Sequence, residues 1–251
     1  MGKREKDKMT CRNKVAIVTG AAGNGMGRSI ALTLAREGAN VVVNYLTSKD
    51  SAQTIVKHIE SQGGKAILFQ ADITVQDQCK ALVDSATSQF GKVDICVIGP
   101  GAGWHPETID KLDSVAALDD AQKELAPLYH LMPLILPGMY EQKWGRVITI
   151  ALTAPYNSPA YAYNVAKAAR TNALLIARDS AWQNGVTLNV IGPGPVPGIE
   201  SLEEAIEQCK RGPAWENRAT TSPQDIAESV AFLCSESGNF ISGAVLPYMH
   251  R

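Results

Sequence analysis

Nothing in this chain pairs cysteines. Cys11, Cys79, Cys96, Cys209 and Cys234 form an odd, scattered set without a C-x-x-C motif, which argues against a disulfide framework and a thiolate zinc site. No metal site is expected. Net charge is nearly absent as well: 24 Lys and Arg stand against 25 Asp and Glu, so a broad electrostatic footprint for nucleic acid or anionic lipid is not expected. No apolar run approaches the roughly 20 residues needed to span a bilayer. The start, "MGKREKDKMTCRN", has no apolar h-region, and Lys6 occupies the place of the Ser or Thr of a myristoylation site. Residues 1–13 read as a charged, disordered tail. Repeats and low-complexity linkers are missing, so residues 14–251 read as one domain. The expected location is a reducing cytoplasm.

What is present is alternation. "KVAIVT" (Lys14–Thr19), "NVVVNY" (Asn40–Tyr45), "KAILFQA" (Lys65–Ala71), "VDICVIG" (Val93–Gly99), "GRVITIAL" (Gly145–Leu152) and "VTLNVIG" (Val186–Gly192) are short, β-branched and nearly continuously apolar. That is the pattern of parallel strands covered on both faces. Amphipathic stretches such as "MGRSIALTLAREG" and "SAQTIVKHIESQGG" lie between them, and "FISGAVLPY" offers a seventh strand. Alternating β and α elements with right-handed crossovers predict an α/β fold: a doubly wound, Rossmann-type parallel sheet of about seven strands flanked by helices.

The first strand runs straight into "TGAAGNGMGRSIALTLAREG". Glycines between a strand and a helix allow a tight turn and bring backbone N–H groups close to a pyrophosphate, which the helix dipole favours. Later in the chain, Tyr163 and Lys167 are one helical turn apart and share a face. An ammonium beside a phenol is expected to lower the phenol's pKa from about 10. A tyrosine tuned in this way can protonate a carbonyl oxygen or reverse that step.

The loop Thr19-Gly20 … Gly25-Met26-Gly27-Arg28, Asp72-Ile73 after strand three, and Tyr163-x-x-x-Lys167 together resemble the short-chain dehydrogenase/reductase family, in particular its 3-oxoacyl-carrier-protein reductase and sugar or steroid dehydrogenase branch. The resemblance runs from about Lys14 to Tyr248. It implies an oxidoreductase that transfers a hydride between a nicotinamide dinucleotide and a carbonyl or secondary alcohol. Tyr163 would be the general acid/base, and Lys167 would tune it and hold the nicotinamide ribose. Cofactor contacts are implied at Gly20, Asn24, Gly25, Met26, Asn44 and Asp72. Ile73, Gly99, Tyr163, Lys167, Pro193 and Val196 complete that set. A homodimer or homotetramer is implied too, joined through helices at about Ser114–Gln142 and Ala160–Asn184. Ala166, Ala169, Ala173 and Leu174 are expected at that contact. Enoyl reductases of the family space their tyrosine and lysine more widely.

The cofactor expected is NADP(H) rather than NAD(H). Strand two ends in Asn44-Tyr45-Leu46-Thr47-Ser48, with no acid before Asp50, whereas a carboxylate there would hold ribose hydroxyls and repel a 2′-phosphate. Asn44, Thr47 and Ser48 are neutral donors.

Several positions depart from the family. The glycine loop carries one extra residue among Ala21 to Asn24. Leu152 stands where relatives place a serine that orients the carbonyl, and Thr153 is the candidate to replace it. Glu124 stands where an asparagine supports a proton relay to the lysine. Ile98-Gly99-Pro100-Gly101 replaces Asn-Asn-Ala-Gly, and Gly198 replaces a threonine after Pro193-Gly194. Losing the serine alone removes about 3 kcal/mol of transition-state stabilisation. The alternative to an enzyme is therefore a dinucleotide-binding subunit or sensor with little turnover. Pro127, Pro133 and Pro137 predict a bend in the helix that carries Glu124, "SLEEAIEQCK" predicts a short helix after strand six, and Trp104 and His105 after strand four lie where a ligand would come.

Overall fold

The computed structural model describes residues 10–152, 159–212 and 220–248. Among them a parallel sheet of seven strands is laid out in the order β3-β2-β1-β4-β5-β6-β7. The strands are β1 (Val15–Val18), β2 (Asn40–Tyr45), β3 (Ala66–Gln70), β4 (Ile95–Ile98), β5 (Gly145–Ile150), β6 (Val186–Gly192) and β7 (Val245–Pro247). The helices are α1 (Met26–Arg36), α2 (Lys49–Ser61), α3 (Gln76–Phe90), α4 (Ser114–Glu141), α5 (Tyr161–Ile176), α6 (Arg178–Trp182), α7 (Leu202–Arg211) and α8 (Pro223–Cys234). The expected doubly wound fold is what forms, and the helix expected after strand six is α7.

Strand pleating divides the core. Ala16 and Val18 of β1 point to the layer built by Ile30 and Leu34 of α1, Ile55 of α2 and Val230 of α8. Ile17, between them, points to the opposite layer of Leu82 from α3, Leu131 and Ile135 from α4 and Leu174 from α5. Period-two alternation inside a wholly apolar run is what feeds both layers. At the amino edge of the sheet, the buried Asp94 carboxylate accepts from Val15 N at 2.8 Å and from Lys92 Nζ at 2.9 Å, pinning β1 to the start of β4.

Two expectations are corrected. The chain is anchored before Lys14: Cys11 is wholly buried, and its N–H donates to Glu37 O at 2.9 Å. The three prolines do not interrupt α4, which runs as one helix for 28 residues. Each proline removes one N–H from the ladder, but Leu128, Leu131, Ile135 and Met139 bury one face of the helix against the sheet, and tertiary packing outweighs the missing donors. Ala166 and Leu174, expected at a subunit contact, are buried within the chain's own core. The outward apolar residues of α4 and α5 are instead Val115, Leu118, Tyr129, Val165 and Ile176.

Candidate active site

The carboxyl ends of β1, β4 and β5 meet at the crevice where the strand order reverses, which is where open α/β sheets bind ligands. The glycine loop opens α1 there. Gly20 adopts φ +60°, and a Cβ on it would lie 2.3 Å from Pro100 Cγ. A Cβ on Gly27 would come within 2.5 Å of Gly20 O, so only glycine lets the helix start this close to the turn. Gly25 caps α1 without any side-chain hydrogen bond, leaving first-turn N–H groups open to an anion. These residues fit the pyrophosphate of a dinucleotide.

Around the loop, the expected cofactor residues are placed as follows. Asn24 is exposed, and its carbonyl accepts from Ile199 N at 2.7 Å. Gly198 lies beside it, so the lengthened loop is bound to the segment after β6 that carries Pro193 and Val196. Met26 and Val196 are half-buried against the core. Asn44 is buried, and its side chain turns inward: Oδ1 accepts from Gly20 N at 3.1 Å and Nδ2 donates to Ala71 O at 3.0 Å. It thus braces the loop from below. Asp72 accepts from Thr74 N and Oγ1, while Ile73 is buried. Gly99 N donates to Thr19 Oγ1 at 2.9 Å, tying β4 to the loop. Arg28 is buried, donates to Ser51 Oγ at 3.3 Å, and keeps Nε and Nη1 without partners.

The pair expected to be catalytic, Tyr163 and Lys167, sits on α5. Tyr163 is half-buried and Lys167 buried, with its Nζ 5.5 Å from the phenol ring centre. The ammonium is held by Glu124: Nζ is 2.9 Å from Oε1, which also accepts from Ala102 N at 2.7 Å. The other carboxylate oxygen accepts from Arg170 Nη1 at 2.8 Å. Arg170 is wholly buried and donates further to Ile98 O, Pro100 O and Thr149 Oγ1 at 2.6–2.8 Å. A Cβ on Gly101 would fall 2.1 Å from Glu124 Oε1. Glutamate in α4 needs glycine at 101, and the carbonyl of Pro100 serves the arginine that holds the glutamate.

Arg170 escaped the sequence reading. The signal was there: a charged residue three places after Lys167 and seven after Tyr163 lies on the same buried helix face, among small residues.

The electrostatics run opposite to the simple expectation for Tyr163. Burial, and then the Glu124 carboxylate, push its phenol above the ordinary value, with Arg170 opposing them. Burial pulls the Lys167 ammonium down, and Glu124 works against that. The lysine's charge is spent largely on the carboxylate, so it does not dominate the phenol. Leu152 is buried, and its carbonyl accepts from Thr171 Oγ1. Thr153 lies outside the described residues.

At the mouth, Trp104 is exposed, whereas His105 bridges two acids, with Nδ1 2.5 Å from Glu107 Oε2 and Nε2 2.7 Å from Asp120 Oδ2. Its pKa is raised, first by the bond to Asp120 and also by Glu107. Glu107 Oε1 in turn accepts from Ala162 N at 2.7 Å, so this group fastens the β4–α4 loop onto the first turn of α5. No cluster of three or more His, Cys, Asp or Glu among the described residues suits a metal. All five cysteines are buried free thiols, and burial drives Cys11 and Cys79 up to about 11 and Cys96 up to about 12.

The fit at residue 101 is testable. Gly101→Ala is expected to destabilise the protein by about 2 kcal/mol through overpacking against a fixed carboxylate. Gly103→Ala, with nothing within 4 Å of its would-be Cβ, is expected to be nearly silent. Urea unfolding of the two variants checks the difference.

Comparison with known proteins agrees with this geometry. Residues 20–248 match a family model described as enoyl-(acyl carrier protein) reductase. A 3-oxoacyl-acyl-carrier-protein reductase of Staphylococcus epidermidis is 31% identical over 240 residues, covering 93% of this chain and 96% of that protein. The 7alpha-hydroxysteroid dehydrogenase of Escherichia coli K12 is 33% identical over 245 residues, with 96% and 94% covered. A crystal structure of hydroxysteroid dehydrogenase from Escherichia coli superposes with a TM-score of 0.80 at 30% identity, covering 96% of this chain and 97% of that one. A structure of 7 alpha-hydroxysteroid dehydrogenase complexed with NADH and 7-oxo glycochenodeoxycholic acid gives 0.82 at 29%, with 99% and 96% covered. Matched across nearly its full length in sequence and fold, the chain belongs to the short-chain dehydrogenase/reductase family.

Proposed function

We propose that this family member works as a carbonyl reductase with NADP(H), with Tyr163 delivering the proton. The observation that carries the reading is the Tyr163–Lys167 pair at the carboxyl edge of the sheet, beside a loop that only glycines could form. A bound nicotinamide dinucleotide supplies the hydride. The chain supplies the rest: Tyr163 gives a proton to the carbonyl oxygen, and Lys167 and its carboxylate partner hold the helix face that presents the phenol. A phenol pushed above its ordinary value stays protonated at neutral pH. That suits an acid in reduction better than a base in alcohol oxidation.

The NADP(H) preference is supported by the end of β2. Leu46, Thr47 and Ser48 are exposed there, and no carboxylate is available to repel a 2′-phosphate. Arg28 adds a cation next to Ser51 in the first turn of α2, with donors to spare. The substrate class is a small-molecule ketone, aldehyde or secondary alcohol. The outward apolar residues of α4 and α5 support self-association, because large apolar side chains left exposed on two adjacent helices are what a subunit contact would cover.

Tyr163→Phe is expected to lower carbonyl reduction by about a hundredfold or more, the scale of a positioned general acid, with dinucleotide affinity nearly kept. In the unsubstituted enzyme, reduction should hold steady through neutral pH and decline only in the alkaline range as the raised phenol ionises. Alcohol oxidation should climb over that same range. Steady-state rates against a panel of β-ketoacyl thioesters, diketones, sugars and keto-steroids across pH check this. Tight NADPH binding without turnover on any of them would establish the binding-subunit alternative instead.

NADPH is expected to bind at least about tenfold more tightly than NADH, the worth of one favourable charged contact. Intrinsic fluorescence titration measures both, and equal or tighter NADH binding overturns the preference.

A dimer or tetramer is expected in solution. Light scattering at micromolar concentration decides it, a monomer being the contrary result.

A further inference from the structure

Buried charge is costly unless it is paired, and each of two unusual residues on the inner faces of α4 and α5 would be a liability alone. Glu124 in an otherwise neutral site would cancel the charge of Lys167. Arg170 in an otherwise apolar site would be a lone cation sealed from water, with a relative exposure of 0%. Together they satisfy one another. The carboxylate spends one oxygen on each cation, and one unit of positive charge is left among the three groups. A site with a neutral residue at 124, an apolar one at 170 and the same lysine would carry that same net charge.

We propose that Glu124 and Arg170 are a matched pair of positioning residues for Tyr163 and Lys167. Arg170 fixes the Glu124 carboxylate against the lysine ammonium, and the two opposite charges together set how readily the phenol releases its proton. The pair takes the place of the family's asparagine and its relay with a direct carboxylate contact.

The geometry gives this little slack. Arg170 donates to the ends of β4 and β5 through Ile98 O, Pro100 O and Thr149 Oγ1, so its guanidinium is fixed to the sheet. Glu124 is held from three sides, by Arg170, Ala102 N and Lys167. The charged groups around Tyr163 are Lys167 and Arg170 on its own helix and Glu124 on α4. From the β4–α4 loop, Glu107 reaches Ala162 N at the neighbouring residue and carries His105 with it. β4 and β5 contribute carbonyls and the Thr149 hydroxyl. Of these, Glu124 raises the phenol and Arg170 lowers it. Substituting either alone therefore unbalances the site in opposite directions.

The proposal rests on Tyr163 being the proton donor, so its test includes a readout that needs no turnover. The full-length protein is labelled with 3-fluorotyrosine, whose phenol ionises at lower pH. The fluorine resonance of residue 163, assigned by its loss in Tyr163→Phe, is then titrated. Arg170→Met is expected to move that titration up by about one pH unit or more, the scale of one unbalanced buried charge. It should also slow reduction at least about tenfold. Glu124→Gln is expected to move the titration down. The double substitution Glu124→Asn with Arg170→Met buries no lone carboxylate or guanidinium. It should titrate closer to the parent than either single variant does, and regain about tenfold in rate over Arg170→Met. Shifts in the same direction for both single variants, no shift in either, or a double variant further from the parent than the singles overturns the pairing. If Arg170→Met does not fold, Glu124→Gln and the double variant carry the comparison. Expected fluorine shifts in a protein without carbonyl turnover would uphold the pairing and reject the reductase reading. Turnover with unmoved resonances would do the reverse.

Discussion

One carboxylate with no exposure to water organises this site. Glu124 is gripped by Lys167 and Arg170 and takes a third hydrogen bond from Ala102 N. Such a group tolerates no partial solution: remove the carboxylate and two buried cations lose their counter-charge, a loss of several kcal/mol; remove either cation and one carboxylate oxygen loses its partner. That constraint reaches well beyond the three side chains. It demands glycine at 101, uses the carbonyl of a proline at 100, and draws on the last residue of β4 and on Thr149 of β5. It also requires α4 and α5 to lie side by side, because the carboxylate comes from one and both cations from the other.

Much of the architecture was legible in the sequence because hydrophobic periodicity is a local signal. β-branched runs such as Val41–Val42–Val43 can be satisfied only between two apolar layers, and all seven strands fall where such runs stand. Boundaries were less legible. "FISGAVLPY" reads as nine strand-like residues, yet only Val245–Pro247 form β7, and Gly243, at φ +81°, stands two residues before it. Pro127, Pro133 and Pro137 each argue against a helix by local rules, but the face of α4 that meets the sheet holds it continuous.

The site divides along the same line. The glycine loop and the Tyr163–Lys167 pair are motifs of fixed spacing and could be read directly. The direction of the shift at Tyr163 could not, because it depends on which partner Lys167 takes, and that partner is about forty residues away in the chain and on another helix. Asn44 reads in sequence as a neutral donor, and its burial against Gly20 N and Ala71 O depends on how β1, β2 and β3 stack. Residue type indicated what chemistry was available. Only the pairing of elements distant in sequence determined which groups face one another.

The bond from Ile199 N to Asn24 O joins the two banks of the crevice, one belonging to each half of the sheet. It runs from backbone to backbone, so it does not depend on which side chains stand at those positions. Residue 24 is exposed and can change without loosening the join, whereas Ile199 is buried in the core and is held there by its own packing; a proline at 199 would delete the donor. On the side of the glycine loop the latch therefore depends on loop length rather than on the side chain at residue 24, and the extra residue in that loop sets where the accepting carbonyl stands.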